Sequence, residues 1–185
     1  MRSVLLALFA LGLSACAGCE GPVQYKPLTE YTCEVGNFKV LFPGEPRWSS
    51  QGAAFSQIQL AEAFNPDMEF AVGYGDFGIG TPASADRPKI YKAMKDHLMK
   101  HYSATLLYEF TCSVEGSIGI EFGLKLSGDK GPEKIAKLRA VIVGRTLYHY
   151  GVVGNRVTAN SPEARKFFDS FKIINKPGTS GVAQK

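Results

Sequence analysis

The stretch that decides the fold is residues 140–174, AVIVGRTLYHYGVVGNRVTANSPEARKFFDSFKII. Residues 140–143 and 147–153 are rich in β-branched and aromatic side chains, which is typical of buried strands. Residues 161–163, Ser-Pro-Glu, predict a helix start, because a hydroxyl can cap the free amides, Pro suits the first helical position and an acid suits the first turn. Apolar side chains then recur at helical spacing, namely Ala164, Phe167, Phe168 and Phe171. This stretch therefore predicts a helix packed on a sheet.

The upstream sequence predicts more strands and one more helix. Residues 38–42 read as a strand that the Pro-Gly-Glu-Pro turn at 43–46 must end. Alternating apolar residues predict strands at 55–64, 68–74, 106–114, 118–126 and 136–143. Apolar residues at a spacing of four predict a helix over 88–102. We expect one α+β domain over residues 33–174, an antiparallel sheet of about six to seven strands with helices packed on it, followed by a disordered tail at 175–185.

Residues 1–15 predict a signal peptide, because a basic start precedes a short apolar run. The segment Leu13-Ser14-Ala15-Cys16 resembles the bacterial lipobox. This resemblance implies a lipidated Cys16 at the mature N-terminus, a tether over residues 16–32 and anchorage in the cell envelope, with the outer membrane facing the periplasm favoured by Ala17. The alternative is ordinary cleavage at Ala15-Cys16-Ala17, which would make the protein secreted or soluble in the periplasm.

Composition narrows the partners that we expect. The 185 residues carry a formal net charge of +4, with no concentrated basic stretch, so we expect no nucleic-acid partner. After the leader, no apolar run reaches the ~18 residues of a membrane span. We expect the membrane to be a partner through the lipid anchor alone, and a protein partner that the sequence does not identify.

Three cysteines remain if Cys16 carries lipid. Export implies an oxidising compartment, where disulfides persist. One reading is a bridge between Cys33 and Cys112, with Cys19 in the tether left over. The other reading is that Cys112 is a small buried apolar residue.

Four features are candidate sites. His97 and His101 lie four residues apart on a helix, as a metal pair would, but no third ligand is evident, so a helix edge is the alternative. Trp48 is either an exposed partner contact or a ring packed on the sheet edge. His149 lies inside a strand without a local acid, so we expect no catalytic residues. The G-x-G-x-x-G at 73–80 lacks the helix that a dinucleotide site needs, so we expect no cofactor.

Most of residues 38–174 resembles a group of small, uncharacterised, exported bacterial lipoproteins with a PsbP/Mog1/DcrB-like domain. The motifs are F-x-V-x-FPG-x-P at residues 38–46 and LY…VVG…FFDSF at residues 147–171. The resemblance implies a PsbP/Mog1-like α/β/α sandwich. Both motifs are structural, and no binding residue carries over from them.

We therefore expect a membrane-anchored envelope lipoprotein that is a non-enzymatic binding or scaffold module. One alternative is an envelope protein that binds a small ligand or a metal. A second is an envelope hydrolase, although the chain has no GxSxG elbow, HExxH or P-loop.

Overall fold

Two sheets and two helices make up the fold. The structure is a computed structural model and describes residues 25–52, 57–77, 86–126 and 133–174. Within these ranges the strands are Leu28–Cys33 (β1), Phe38–Pro43 (β2), Arg47–Gly52 (β3), Gln57–Asn65 (β4), Met68–Asp76 (β5), Thr105–Val114 (β6), Ser117–Leu126 (β7), Lys134–Val143 (β8), Thr146–Gly154 (β9) and Lys172–Ile173 (β10). The helices are Arg87–His101 (α1) and Pro162–Ser170 (α2), and a short 3-10 turn covers Thr158–Asn160.

The larger sheet has seven strands in the order β3-β4-β5-β9-β8-β7-β6, and every neighbouring pair is antiparallel. The smaller sheet has the order β1-β2-β10, also antiparallel. The predicted α+β class and the antiparallel sheet of six to seven strands are confirmed.

Each face of the large sheet has its own apolar layer. On one face, α2 and the small sheet pack against β4, β5 and β9, with the rings of Phe42, Phe70 and Phe167 fully buried. On the other face, α1 buries Tyr91, Met94 and Leu98 against the sheet. Helix α2 begins as predicted: the Ser161 hydroxyl accepts a hydrogen bond from the Ala164 amide at 3.2 Å.

The fold begins earlier than the predicted boundary at Cys33. Strand β1 starts at Leu28, inside the predicted tether of residues 16–32, and pairs along its whole length with β2. Even Lys26 is held, since its amide donates to Asn65 Oδ1 at 2.9 Å and its carbonyl accepts from Asn65 Nδ2 at 3.3 Å. The composition of residues 28–32 did not predict a strand because β1 is an edge strand whose outward side chains are mostly polar. Strand β3 was not predicted, for the same reason.

The predicted signal peptide, the lipidation site at Cys16, Cys19 and the tail at 175–185 lie outside the described residues. In the ranges that the structure describes, no helix combines the length and the apolar character that crossing a bilayer requires.

His149 lies in the core beneath α1 rather than at a sheet edge. It is 2% exposed, and neither ring nitrogen has a hydrogen-bond partner among the residues that the structure describes. It pairs with Gly73 across the β5–β9 ladder, and a Cβ at Gly73 would lie 2.1 Å from His149 Nε2. The cavity beside the ring is only about 10 Å³, at the lower limit for one water molecule. Burial lowers the pKa of His149 to about 4, so the imidazole is neutral at physiological pH.

Replacing Asn65 with Ala is expected to lower the free energy of unfolding by about 1–3 kcal/mol, because the Lys26 amide and carbonyl lose their buried partner. Urea denaturation measures the change. The matched control is Asn160→Ala, which removes an exposed amide and should cost less than about 1 kcal/mol. Equal losses in the two variants would contradict the docking role of Asn65.

His149 is expected to make stability fall in mild acid. Above pH 6.5 both states are neutral; between pH 6.5 and 4 the unfolded chain takes up a proton that the folded chain refuses, which favours unfolding by up to about 3 kcal/mol. His149→Leu should therefore gain stability relative to the unmodified chain as the pH falls through this window. His149→Gln, which is polar but does not titrate, should show the same pH trend. Urea unfolding at several pH values measures both, and a pH-independent difference would show that His149 does not titrate as described.

Candidate functional site

A cavity of about 700 Å³ lies between the first turns of α1 and the corner where β6 meets β7. Its lining is mainly apolar and aromatic, with one arginine, one acid and two hydroxyl residues: Pro88, Tyr91, Phe110, Ile118, Ile120, Arg87, Glu109, Thr111 and Ser117. Ile118 is 68% exposed and Phe110 is 48% exposed, so large apolar side chains at this corner face solvent. We call this cavity the Arg87 groove.

Tyr91 holds the start of α1 over the sheet. Its hydroxyl donates to the Ile118 carbonyl at 3.1 Å and accepts from the Ile142 amide at 2.9 Å. The pKa of Tyr91 is raised, mainly by burial, so the phenol remains protonated at neutral pH. Because both of these bonds are internal, Tyr91 offers the groove its ring rather than its hydroxyl.

Arg87 is the first residue of α1 and is only partly satisfied. One guanidinium nitrogen, Nη1, donates to the Ile142 carbonyl at 3.3 Å, while the buried Nε has no hydrogen-bond partner in the part of the chain that the structure describes. Arg87 forms no ion pair with any carboxylate in the described part of the chain. The segment 78–85 just before the helix contains no acidic residue.

The acids nearest to Arg87 in sequence and in the groove are already engaged. Asp86 accepts from Lys89 at 3.2 Å, and Glu109 at the far side of the groove accepts from Lys95. The groove therefore combines an apolar floor with one cation whose charge is not balanced by a described side chain.

A second cavity, of about 800 Å³, lies where the described chain begins, between Tyr25, Met68 and Ser161. Three of its polar residues have internal roles. The Tyr25 hydroxyl donates to Asp67, Asn65 holds Lys26, and Ser161 caps α2. This cavity therefore lies where the entering chain is held, and the charged residues Lys26, Glu163 and Lys166 also line it.

The uncovered part of the α2 face carries a completed polar network. Arg139 Nε donates to Glu121 Oε2 at 2.6 Å, and the Tyr108 hydroxyl donates to Glu121 Oε1 at 3.3 Å. The Arg139 guanidinium also lies 5.0 Å from the centre of the Phe168 ring. Burial, followed by the neighbouring Glu121, raises the pKa of Tyr108. Each charge has a partner, so this network serves to hold β6, β7 and β8 together.

Acidic and imidazole groups lie toward the far end of α1. Burial, and next the charge of Glu62, raise the pKa of Glu69 to about 8. The His97 and His101 rings stack with centres 5.9 Å apart. Burial lowers the pKa of His97, and the charges of His101 and Lys100 lower it further. Among the described residues, no group of three His, Cys, Asp or Glu side chains could hold a metal ion. His97 is half-buried and His101 is exposed.

Trp48 packs on the sheet edge and stays partly accessible. Its ring is 39% exposed, its Nε1 donates to the Tyr31 hydroxyl at 3.0 Å, and its ring centre lies 6.2 Å from those of Tyr31 and Tyr74. These are the contacts of a ring packed on the sheet edge, and the indole N–H already has a partner within the protein.

Cys33 and Cys112 are both free thiols. Cys33 ends β1 in the small sheet, and its Sγ accepts from the Gly36 amide at 3.2 Å, whereas Cys112 lies on β6 at the edge of the large sheet. Burial is the first cause that raises the pKa of Cys112, so its thiol is not activated as a nucleophile.

Sequence reasoning missed Arg87, the residue that gives the groove its charge. An arginine before a proline at a helix start has no distinctive signal. Its importance comes from the lack of an ion pair between Arg87 and any described carboxylate, which depends on the packing of α1 over β7 and β8.

Comparisons with known proteins bear on the fold. No family model matches the chain, and no curated protein matches it. Among solved structures, cyanobacterial PsbP (CyanoP) from Synechocystis aligns with a TM-score of 0.56 and 13% identity, over 85% of this chain and 98% of that chain. A protein of unknown function from Pseudomonas aeruginosa aligns over 70% of this chain and 83% of its own, with 10% identity and a TM-score of 0.37, too low to support a shared fold. At 13% identity the first likeness shows the fold alone. The chain has a PsbP-like α+β fold, in agreement with what its family resemblance implied.

Proposed function

We propose that the protein is an exported lipoprotein, anchored through Cys16, that acts as a non-enzymatic binding module and contacts its partner through the corner of β6 and β7. One observation carries the proposal. Large apolar side chains are exposed on these two strands: Ile118 beside the turn is 68% exposed, Phe110 on the opposite face of the sheet is 48% exposed, and Leu107 farther along β6 is 49% exposed. Exposed apolar surface at a sheet edge is a feature of interaction surfaces.

The position of this corner suits a tethered protein. The described chain begins at Tyr25, which bonds to Asp67 in the turn between β4 and β5. The antiparallel register places the turn at residues 115–116, between β6 and β7, at the opposite end of the large sheet. A chain from Cys16 to Tyr25 can span at most about 30 Å whatever its conformation. An anchor at Cys16 would therefore attach to the molecule at the end of the sheet opposite the corner.

The surroundings of the two side chains that could act in catalysis, His149 and Cys112, support a non-enzymatic role. His149 is enclosed beneath α1 with no carboxylate or hydroxyl bonded to it. The raised pKa of Cys112 keeps its thiol protonated. A nucleophile and its base must lie within hydrogen-bond reach of each other, and neither residue has such a partner.

The anchor and the contact surface can be tested in one preparation of native membranes. The intact mass is expected to correspond to a chain that starts at Cys16 with added acyl mass. A photoreactive amino acid in place of Phe110 is expected to form a defined cross-link to another envelope protein. The matched control replaces Val157, which is 79% exposed and lies near the chain entry, and should give no such cross-link. A bare chain starting at Gly18 would refute the anchor, and equal cross-linking at both positions would refute the surface.

A further inference from the structure

We propose that the Arg87 groove binds an amphiphilic monocarboxylate, with the carboxylate on Arg87 and the apolar body against Tyr91, Ile118 and Ile120. The inference deepens the proposed function, since it assigns a ligand class to the same corner. It rests on that corner being a binding surface and does not depend on the lipid anchor.

The first argument is the unsatisfied guanidinium. An arginine side chain has five N–H donors in a planar fork, and Arg87 uses Nη1 on the Ile142 carbonyl while its buried Nε has no partner among the described residues. A buried donor without a partner is costly, and a partly buried cation without a counter-charge is more so. A carboxylate in the groove supplies the missing charge and accepts from guanidinium N–H groups other than the one on the Ile142 carbonyl.

The second argument is the local electrostatic field. Arg87 opens a 15-residue helix whose Asp86 N-cap makes no side-chain capping bond, and the first turn holds no acid. The positive end of the helix dipole therefore adds to the charge of Arg87. Glu109, the acid of the groove, is paired with Lys95 and so opposes an incoming anion only weakly. One uncompensated cation fits a ligand with a single negative charge.

The third argument is the shape and polarity of the remaining surface. The cavity of about 700 Å³ falls within the size range of small-molecule sites. Its floor is formed by Ile118 and Ile120, and the Tyr91 ring forms one wall. Covering Ile118, which is 68% exposed, removes apolar surface from water and so favours a ligand with an apolar body.

The geometry favours a small amphiphile over the C-terminus of a peptide paired to the edge of β6. Arg87 bonds to Ile142 on β8, and β7 and β6 lie between β8 and the sheet edge. A strand added beyond β6 would lie three strand spacings, about 14 Å, from β8. A carboxylate held in such a strand does not reach the guanidinium, whereas a ligand inside the groove does.

The test uses the full chain with Cys16→Ser, which cannot be lipidated, so a failed anchor leaves the readout unchanged. Calorimetry and the shift in melting temperature measure binding of decanoate and of decan-1-ol, its uncharged match. Decanoate is expected to bind roughly tenfold or more tightly than decan-1-ol. Arg87→Gln should lower the affinity for decanoate to that for decan-1-ol and leave the affinity for decan-1-ol unchanged. The control Lys89→Gln, which removes an exposed cation of the same helical turn, should change decanoate affinity by less than about twofold.

A second pair of variants keeps the test decisive if Arg87→Gln does not fold. Ile118→Asp places a negative charge at an exposed position of the groove and should weaken decanoate several-fold. Val35→Asp, at a site that is 85% exposed and outside the groove, should not. No binding of decanoate, equal binding of the alcohol, or equal decanoate affinity in a folded Arg87→Gln would overturn the proposal. Tighter, Arg87-dependent binding of an apolar peptide with a free C-terminus, lost on amidation, would replace the amphiphile with a peptide.

Discussion

The stacking of Tyr150 on Phe171 is the contact on which the layers of the molecule depend. The ring centres are 4.2 Å apart and the planes differ by 12°. Phe167, one helical turn earlier, meets Phe70 of the large sheet at 5.2 Å and Phe42 of the small sheet at 5.7 Å. Each of these rings contributes roughly 1.5–3 kcal/mol by leaving water. A seven-stranded sheet with two apolar faces needs a cover on each, and this cluster attaches one of the covers.

The sequence predicted the parts of the fold whose signals are local. Strand β7 alternates strictly and α2 has its own cap, so both were evident without tertiary information. Strands β1 and β3 were missed because they gain stability from pairing at sheet edges rather than from an apolar pattern of their own. The candidate site was harder to predict from the sequence than the fold. His97, His101 and Trp48 are candidates by residue type, whereas Arg87 becomes a candidate only because the described acids near it, Asp86 and Glu109, pair with lysines instead.

The two faces of the large sheet treat their polar groups differently. On the α2 face, the charges of Glu121 and Arg139 are joined to each other and to Tyr108, so the network is complete within the protein. On the α1 face, neither the His149 ring nor the Arg87 Nε has a hydrogen-bond partner among the described residues. The buried His149 imidazole remains neutral because its pKa is lowered, whereas an arginine side chain is always charged. Arg87 is therefore the group on this face for which a bound ligand best supplies the missing partner.

The small sheet has a consequence for the order in which the molecule can assemble. Its central strand, β2, lies near the beginning of the domain, yet one of its neighbours is β10, at Lys172–Ile173. Ser170 also donates to the carbonyl of Phe167 and accepts from the amide of Leu41, which ties the same distant parts together. This layer cannot close until almost the whole chain has emerged from the ribosome or from a translocation channel. A partly delivered chain therefore stays open on the α2 face, and contacts of such long sequence separation favour slow final closure.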